Sequence, residues 1–386
     1  MKKIFLTIFL LCLFIIPTSV NASNPVDIHG KLSVKGKNIV DKKGNIYQLR
    51  GVSTHGIYWF PKYVNQDAFN YMRDNWGINT IRLAMYSEPS AGRSESTYEL
   101  VKQGVEYAKN AGLYVIIDWH ILNDNDPNTY KSDAIEFFKK MATLYKDYDN
   151  VIYEICNEPH WVEWNTSIKP YAEDVIKEIR KIDDDAIIVV GTPTWSQDVD
   201  TAAQNPITGY SNIMYTLHFY AGTHKEGIRN KLKKALESNL PVLVTEFGAV
   251  DANGDGNLNY DEANTWLDLL DENNIGYVIW QLSNKNEGSS LIRSDVDKVT
   301  GWTIDELSNH GKWYVNRLKE TKKEEPVDKE ELKEEKSTEN VEKETKEEIN
   351  EDIEKPSTTK KEKDYSRYVM IGIVVVTIIV GIIILK

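Results

Sequence analysis

Glu158 and Glu246 each close a short apolar run, the first in YEICNEP and the second in PVLVTEFG. Two carboxyl groups held face to face can divide acid and base work. One delivers a proton to a leaving oxygen, and the other acts at the carbon that oxygen leaves. Hydrolysis of a glycosidic bond needs this pair. Other apolar runs also end abruptly in chemistry-bearing residues: Arg82, Asp118-Trp119-His120, Asn157 beside Glu158, His218-Phe219-Tyr220 and Trp280. One such ending could be chance, but packing alone does not account for the whole set.

The elements that must position these residues follow one rhythm. Short runs rich in β-branched residues lie at Gln48–Val52, Thr80–Ala84, Tyr114–Asp118, Val151–Cys156, Ile187–Gly191, Met214–Phe219, Pro241–Glu246 and Gly276–Gln281. Amphipathic stretches fall between them, at Thr97–Asn110, Asp133–Tyr145, Lys169–Lys181, Lys225–Ser238 and Tyr260–Glu272. This alternation predicts parallel strands with crossover helices. Eight strands in about 250 residues fit an α/β fold of the (β/α)8 TIM barrel type, whose active sites form at the C-terminal strand ends. A doubly wound open sheet fits less well, because no Gly-rich phosphate loop follows the first strand. Lys31–Val34 and Asn38–Val40 read as a small hairpin able to close the barrel floor.

In its motifs the chain resembles glycoside hydrolase family 5, in its bacterial cellulase (endo-β-1,4-glucanase) branch. The segments GVSTHGIYW, IRLAMY, VIIDWH, YEICNEP, LHFYAGTH, VTEFG and WQLSNKNEGSS occur in that order between Lys31 and Tyr314. The resemblance implies a retaining mechanism with Glu158 as acid/base and Glu246 as nucleophile. It implies that Arg82 favours the ionised Glu246, that Tyr220 holds Glu246 by its hydroxyl, and that Asn157 meets a sugar 2-hydroxyl. His120 and His218 would be sugar and carboxylate partners. Trp280 would stack on the sugar beside the cleaved bond, with His55, Trp59, Tyr86, Lys285 and Glu287 on the glycone side. Trp161, Trp164 and Trp195 are candidates for the leaving-group side, with core packing as the alternative. No cofactor is required for such catalysis.

The segment after the seventh run departs from the family pattern. Asp251, Asn253, Asp255, Asn257, Asn259 and Glu262 fall at positions 1, 3, 5, 7, 9 and 12 of a calcium loop, with Gly256 at position 6. A structural calcium is one expectation. A polar turn capping the helix from Tyr260 is the other.

The ends of the chain read differently from its middle. Residues 1–22 have two lysines, an apolar run and small residues before Ala22, the layout of a secretory signal peptide. Residues 23–320 form the expected catalytic domain. Residues 321–366 are almost entirely Lys and Glu, too polar to fold, and read as a disordered charged stalk. Tyr368–Leu385 has no charge and at 1.5 Å per residue would span about 27 Å, enough for a transmembrane helix. A lipid-anchor signal beginning near Ser357 is the alternative. Either way the expected location is the extracellular face of the membrane.

Of two cysteines, Cys12 lies in the leader, so the mature chain keeps only Cys156 and forms no internal disulfide. Cys156 reads as a small buried strand residue. A formal charge of −13 argues against nucleic acid as a partner. The expected partner is a β-glucan polysaccharide, met by a monomeric catalytic domain. Mannanase, xyloglucanase, mixed-linkage glucanase and transglycosylase activities share the scaffold, and a non-catalytic glycan-binding protein would have lost a glutamate.

Overall fold

The computed structural model describes residues 24–324. The expected signal peptide, most of the Lys/Glu-rich stretch and the apolar tail lie outside the described residues. Among the described residues, no helix is long and apolar enough to cross a membrane.

A short helix α1 (Pro25–His29) and a hairpin, β1 (Ser33–Lys35) and β2 (Asn38–Val40), precede the repeating units. Then β3 (Arg50–Thr54), α2 (Gln66–Tyr71), β4 (Thr80–Tyr86), α3 (Glu95–Ala111), β5 (Tyr114–His120), α4 (Lys131–Tyr145), β6 (Val151–Glu154) and α5 (Lys169–Arg180) alternate. The second half holds β7 (Ile187–Val190), the short α6 (Pro193–Ser196) and α7 (Val199–Gln204), β8 (Ile213–Tyr220), α8 (Glu226–Glu237), β9 (Val242–Gly248), α9 (Tyr260–Glu272), β10 (Tyr277–Leu282) and α10 (Asn309–Glu324). Strands β3 to β10 form a closed barrel with β10 beside β3, and every pair in it is parallel. The eight expected runs are these eight strands, with ends moved by a few residues.

Side-chain alternation along each strand divides the core in two. On β5, Val115, Ile117 and Trp119 face outward and pack under the helices. Tyr114 and Ile116 face inward and fill the barrel's lower half with Ile152, Val189, Met214, Leu243 and Val278. Leu32 and Ile39, from the hairpin region, join this inner cluster, so the hairpin does close the floor. The upper inward positions hold little aliphatic filling beyond Ala84 and Val250, which pack with Tyr220 and Trp280. These positions carry Arg82, Asp118, Glu154, His218 and Glu246, all buried. A barrel interior this polar is stable only if its charges are paired.

One irregularity matters for the site. On β9 the register moves from Thr216↔Leu243 to His218↔Glu246, and from Tyr277↔Val244 to Ile279↔Phe247. Both neighbours therefore see one extra residue on β9, which is a β-bulge. The bulge breaks the alternation, and both Thr245 and Glu246 bond to side chains of the barrel interior.

Candidate active site

Arg82 on β4 is the hub. Its Nε and Nη2 donate to Glu154 Oε2 and Oε1 at 2.8 and 3.1 Å. Nη2 also meets Asp118 Oδ2 at 2.9 Å and Asn157 Oδ1 at 2.6 Å, and Nη1 donates to Glu246 Oε2 at 3.1 Å. Burial works against the charge of this guanidinium. Asp118, Glu154 and Glu246 outweigh it and hold the pKa above the usual arginine value. Removing one partner of such a buried set costs about 3–5 kcal/mol, because the other charge stays behind uncompensated.

Glu246 receives a second donor on its other oxygen, the Tyr220 hydroxyl at 2.6 Å. Burial and then the Glu158 charge push the Glu246 pKa up, while His218, Arg82 and His120 pull it back. Glu158 has no such pair of donors. Its Oε1 faces His218 Nδ1 at 2.9 Å, and burial above all pushes its pKa to about 8. The surroundings of the two carboxyl groups thus differ. Two donors favour the ionised form of Glu246, and burial favours the protonated form of Glu158. One oxygen or nitrogen each from Glu158, His218 and Glu246 lie within 4.8 Å of one another.

The strand ends explain this meeting. β6 stops at Glu154, short of the expected Cys156, so Asn157 and Glu158 stand in the turn beyond it. Ser196 Oγ donates to the Asn157 carbonyl at 2.6 Å and fixes that turn. Glu246 rises from β9 across the barrel mouth, beside the bulge.

Above the pair lies a cleft of about 710 Å³, lined among others by His55, Tyr86, His120, Trp195, Trp280, Lys285 and Glu287. His120 and Trp280 stack at 5.4 Å between centroids, and His120 lies 4.3 Å from the Tyr86 ring. Burial pushes His120 down to about 3, so its ring is neutral. Its Nδ1 lies 2.7 Å from Asp118 Oδ2, where it acts as donor. Trp59 sets its edge against Tyr86 at 4.7 Å and stays 44% exposed, a platform at the rim rather than in the cavity wall. Lys285 and Glu287 form an ion pair in the same wall.

The remaining expected residues differ in depth. Arg82 is fully buried and holds carboxylates beneath the cleft, so its contribution to substrate binding is indirect. Asn157, expected at a sugar hydroxyl, is also buried. Its amide accepts from Arg82 and donates to the Ile121 carbonyl at 3.0 Å. Trp164 is core, its indole N–H donating to Asn205 O at 2.9 Å. Trp195 does line the cleft and stacks on His160 at 4.4 Å. Thr194, Trp195 and Ser196 all have φ between 55° and 59°, a costly conformation for three side-chain-bearing residues in a row. Trp161 is 81% exposed and meets Trp195 edge-on outside the cleft. Cys156 is buried, as expected.

The loop after β9 does not gather six ligands. Glu262, the expected bidentate ligand, is in the first turn of α9 and pairs with Arg229 of α8. Asn259 caps α9 by accepting from the Glu262 N–H at 3.2 Å. Asp255 Oδ1 accepts from the Gly288 N–H at 2.7 Å, and Asn253 Oδ1 accepts from the Asp255 N–H at 3.0 Å. Asp251 and Asn257 border a small surface hollow with Asn259. The capping-turn alternative describes these bonds, and a cap of this kind stabilises a helix by about 1 kcal/mol.

Asp118 closes one of the expected runs but had no role there, and Glu154 and Thr245 were not singled out, yet all three bond to the central groups. A signal was there. An acid inside an apolar strand run needs a buried cation, and Arg82 is the strand cation in reach.

Comparison with known proteins agrees with this geometry. Residues 40–286 match the family model described as cellulase (glycosyl hydrolase family 5). Endoglucanase A of Butyrivibrio fibrisolvens is 47% identical over 303 residues, which cover 76% of this chain and 70% of the relative. An endoglucanase of Clostridium saccharobutylicum is 47% identical over 285 residues, 73% of this chain and 63% of the relative. The chain thus spans about two thirds of the length of these relatives. A solved endoglucanase catalytic domain of Thermobifida fusca, in complex with cellotetraose, superposes with a TM-score of 0.73 at 36% identity. That match covers 77% of this chain and 99% of the solved domain.

Proposed function

The chain belongs to glycosyl hydrolase family 5, and from that premise we propose that it is a retaining endo-β-1,4-glucanase acting on cellulose or related β-glucans. One observation carries the stereochemical part. Carboxyl oxygens of Glu158 and Glu246 lie within 4.8 Å of each other. Retaining enzymes keep their carboxyl groups about 5–5.5 Å apart, whereas inverting enzymes need about 6.5–9.5 Å to admit a water.

In the first step Glu246 attacks the anomeric carbon as the bond to the leaving oxygen breaks. The electron pair goes to that oxygen, which takes the proton of Glu158. In the second step the Glu158 carboxylate removes a proton from water, and the water oxygen displaces Glu246. Arg82 and Tyr220 hold Glu246 in place for the attack and stabilise it again as it leaves. Trp280 offers a flat face to the sugar on the non-reducing side, and Lys285 and Glu287 stand beside it for hydroxyl recognition. The open cleft suits attack within a chain rather than at a closed end.

We further propose that the domain works outside the cell. Residues 1–22 would direct export, and residues 321–366 would act as a charged spacer to an anchor at 368–385. Product profiling on carboxymethylcellulose, mixed-linkage glucan, xyloglucan, xylan and mannan tests the activity. The expected result is a fast fall in viscosity and short cello-oligosaccharides from β-1,4-glucan. Preferential release of manno- or xylo-oligosaccharides would overturn the substrate, and products longer than the starting oligosaccharides would indicate transglycosylation.

A further inference from the structure

The hydrogen bonds behind His218 decide where its ring proton sits, and that in turn bears on Glu158. Burial pushes the Glu154 carboxyl up, but Arg82 donates to both of its oxygens, the pairing of an ionised carboxylate. An ionised carboxylate only accepts hydrogen bonds. The Thr245 hydroxyl, 2.7 Å from Glu154 Oε1, must therefore be the donor in that contact. A hydroxyl has one hydrogen, so everything else around the Thr245 oxygen has to donate to it. Two groups are there: the Thr216 hydroxyl at 2.6 Å and His218 Nε2 at 2.9 Å. Thr216 can do this, since its own oxygen accepts from the Thr245 N–H at 3.2 Å. His218 must carry its hydrogen on Nε2. A neutral ring then presents the Nδ1 lone pair, and Nδ1 faces Glu158 Oε1 at 2.9 Å. A lone pair repels a carboxylate and accepts from a carboxyl O–H.

We infer that Thr245, oriented by Glu154, is a positioning residue that fixes the proton of His218 on Nε2 and thereby keeps Glu158 protonated in the resting enzyme. The inference rests on the assignment of Glu158 as acid/base. The same arrangement serves both steps. Glu158 enters the first step carrying the proton that the leaving oxygen will take. Once it has lost that proton, its carboxylate faces a lone pair, which makes it a stronger base toward the water of the second step. The β9 bulge is what makes this possible, because it lets Thr245 reach His218 while Glu246, the next residue, reaches Arg82 and Tyr220.

Other groups also face Glu158 and His218. They are Arg82 on β4, Asp118 and His120 on β5, Glu154 on β6, Glu246 on β9, and the hydroxyls of Tyr86 and Tyr220. Thr245→Val replaces none of these residues and keeps the shape of the side chain, though Glu154 Oε1 loses the hydroxyl that donates to it and keeps Arg82. It removes the acceptor for Nε2–H, so the ring is free to place its hydrogen on Nδ1 and donate to an ionised Glu158.

The test uses the full chain with Thr245→Val and the conservative Thr245→Ser. The expected result for Thr245→Val is a basic limb of kcat/KM moved toward acid by about one pH unit. Thr245→Ser, which keeps the hydroxyl, should leave that limb in place. A second readout does not depend on turnover. Ring 15N shifts of His218, identified by their loss in His218→Asn, should report Nε2–H in the unmodified protein and in Thr245→Ser. In Thr245→Val they should move toward Nδ1–H. A hydrogen on Nδ1 in the unmodified protein would overturn the inference, even if Thr245→Val failed to fold. So would a basic limb that stays fixed in a folded Thr245→Val. If the chain cleaved no β-glucan at all, the functional reading would fail while the ring proton still answered this question.

Discussion

Replacing Tyr220 by Phe removes one hydroxyl and nothing else of similar size. That hydroxyl donates to Glu246 Oε1 at 2.6 Å. Both side chains are largely buried at the cleft wall. A hydrogen bond to a charged group contributes about 1.5–3 kcal/mol, and that range converts to a roughly 10- to 150-fold loss in kcat/KM. The sign of the pH effect follows from which form the bond favours. Tyr220 donates to the ionised carboxylate, so its loss pushes the pKa of Glu246 further up. Glu246 must be ionised to attack, and the acid limb of kcat/KM therefore moves to higher pH. The assay is kcat/KM against pH on an aryl β-cellobioside, with the melting temperature as a check on folding. A folded Tyr220→Phe with an unmoved acid limb and less than a twofold loss would refute this account of how the nucleophile is held.

Other predictions test the remaining assignments. Glu158→Ala should slow cellulose and poor leaving groups far more than a dinitrophenyl β-cellobioside, whose leaving oxygen needs no proton; equal losses on both would remove Glu158 from the acid role. With Glu158 pushed up to about 8 by burial, kcat/KM should hold through neutral pH and fall as pH rises past that value. A basic limb that already falls below pH 6 would contradict the burial argument. Calcium or a chelator should leave the melting temperature unchanged, because Glu262 is engaged with Arg229. A rise of several degrees with calcium would restore the six-ligand reading of the loop.

Much of this site could be read from the residues, and the reasons for the rest are physical. Strand rhythm located β3 to β10, because parallel barrel strands are buried on both faces and stand out as apolar runs. Glu158, Glu246, Tyr220 and His218 could be found because each closes such a run. The depth of Arg82 and Asn157 could not, since linear order does not say which strand-end residues point into the cleft and which lie under it. Thr245 escaped notice for a sharper reason. Regular alternation puts Thr245 and Glu246 on opposite faces, and only the bulge brings both inside. The three tryptophans of the leaving-group side show the same limit: Trp164 is core, Trp195 is cleft and Trp161 is rim, although the sequence around all three is similarly polar. The spacing of the calcium pattern does not say which partners its side chains meet in the fold. Arg229 of α8 lies where it captures the twelfth-position glutamate.

In the proposed mechanism Glu246 forms the covalent bond to the sugar while Glu158 handles the proton. A 2-deoxy-2-fluoro-β-cellobioside with a good leaving group slows the second step and lets that bond accumulate. Peptide mapping by mass spectrometry after inactivation should find a single adduct on Glu246, and none should form in Glu246→Ala. An adduct on Glu158, or rapid inverting turnover with no adduct, would contradict the account.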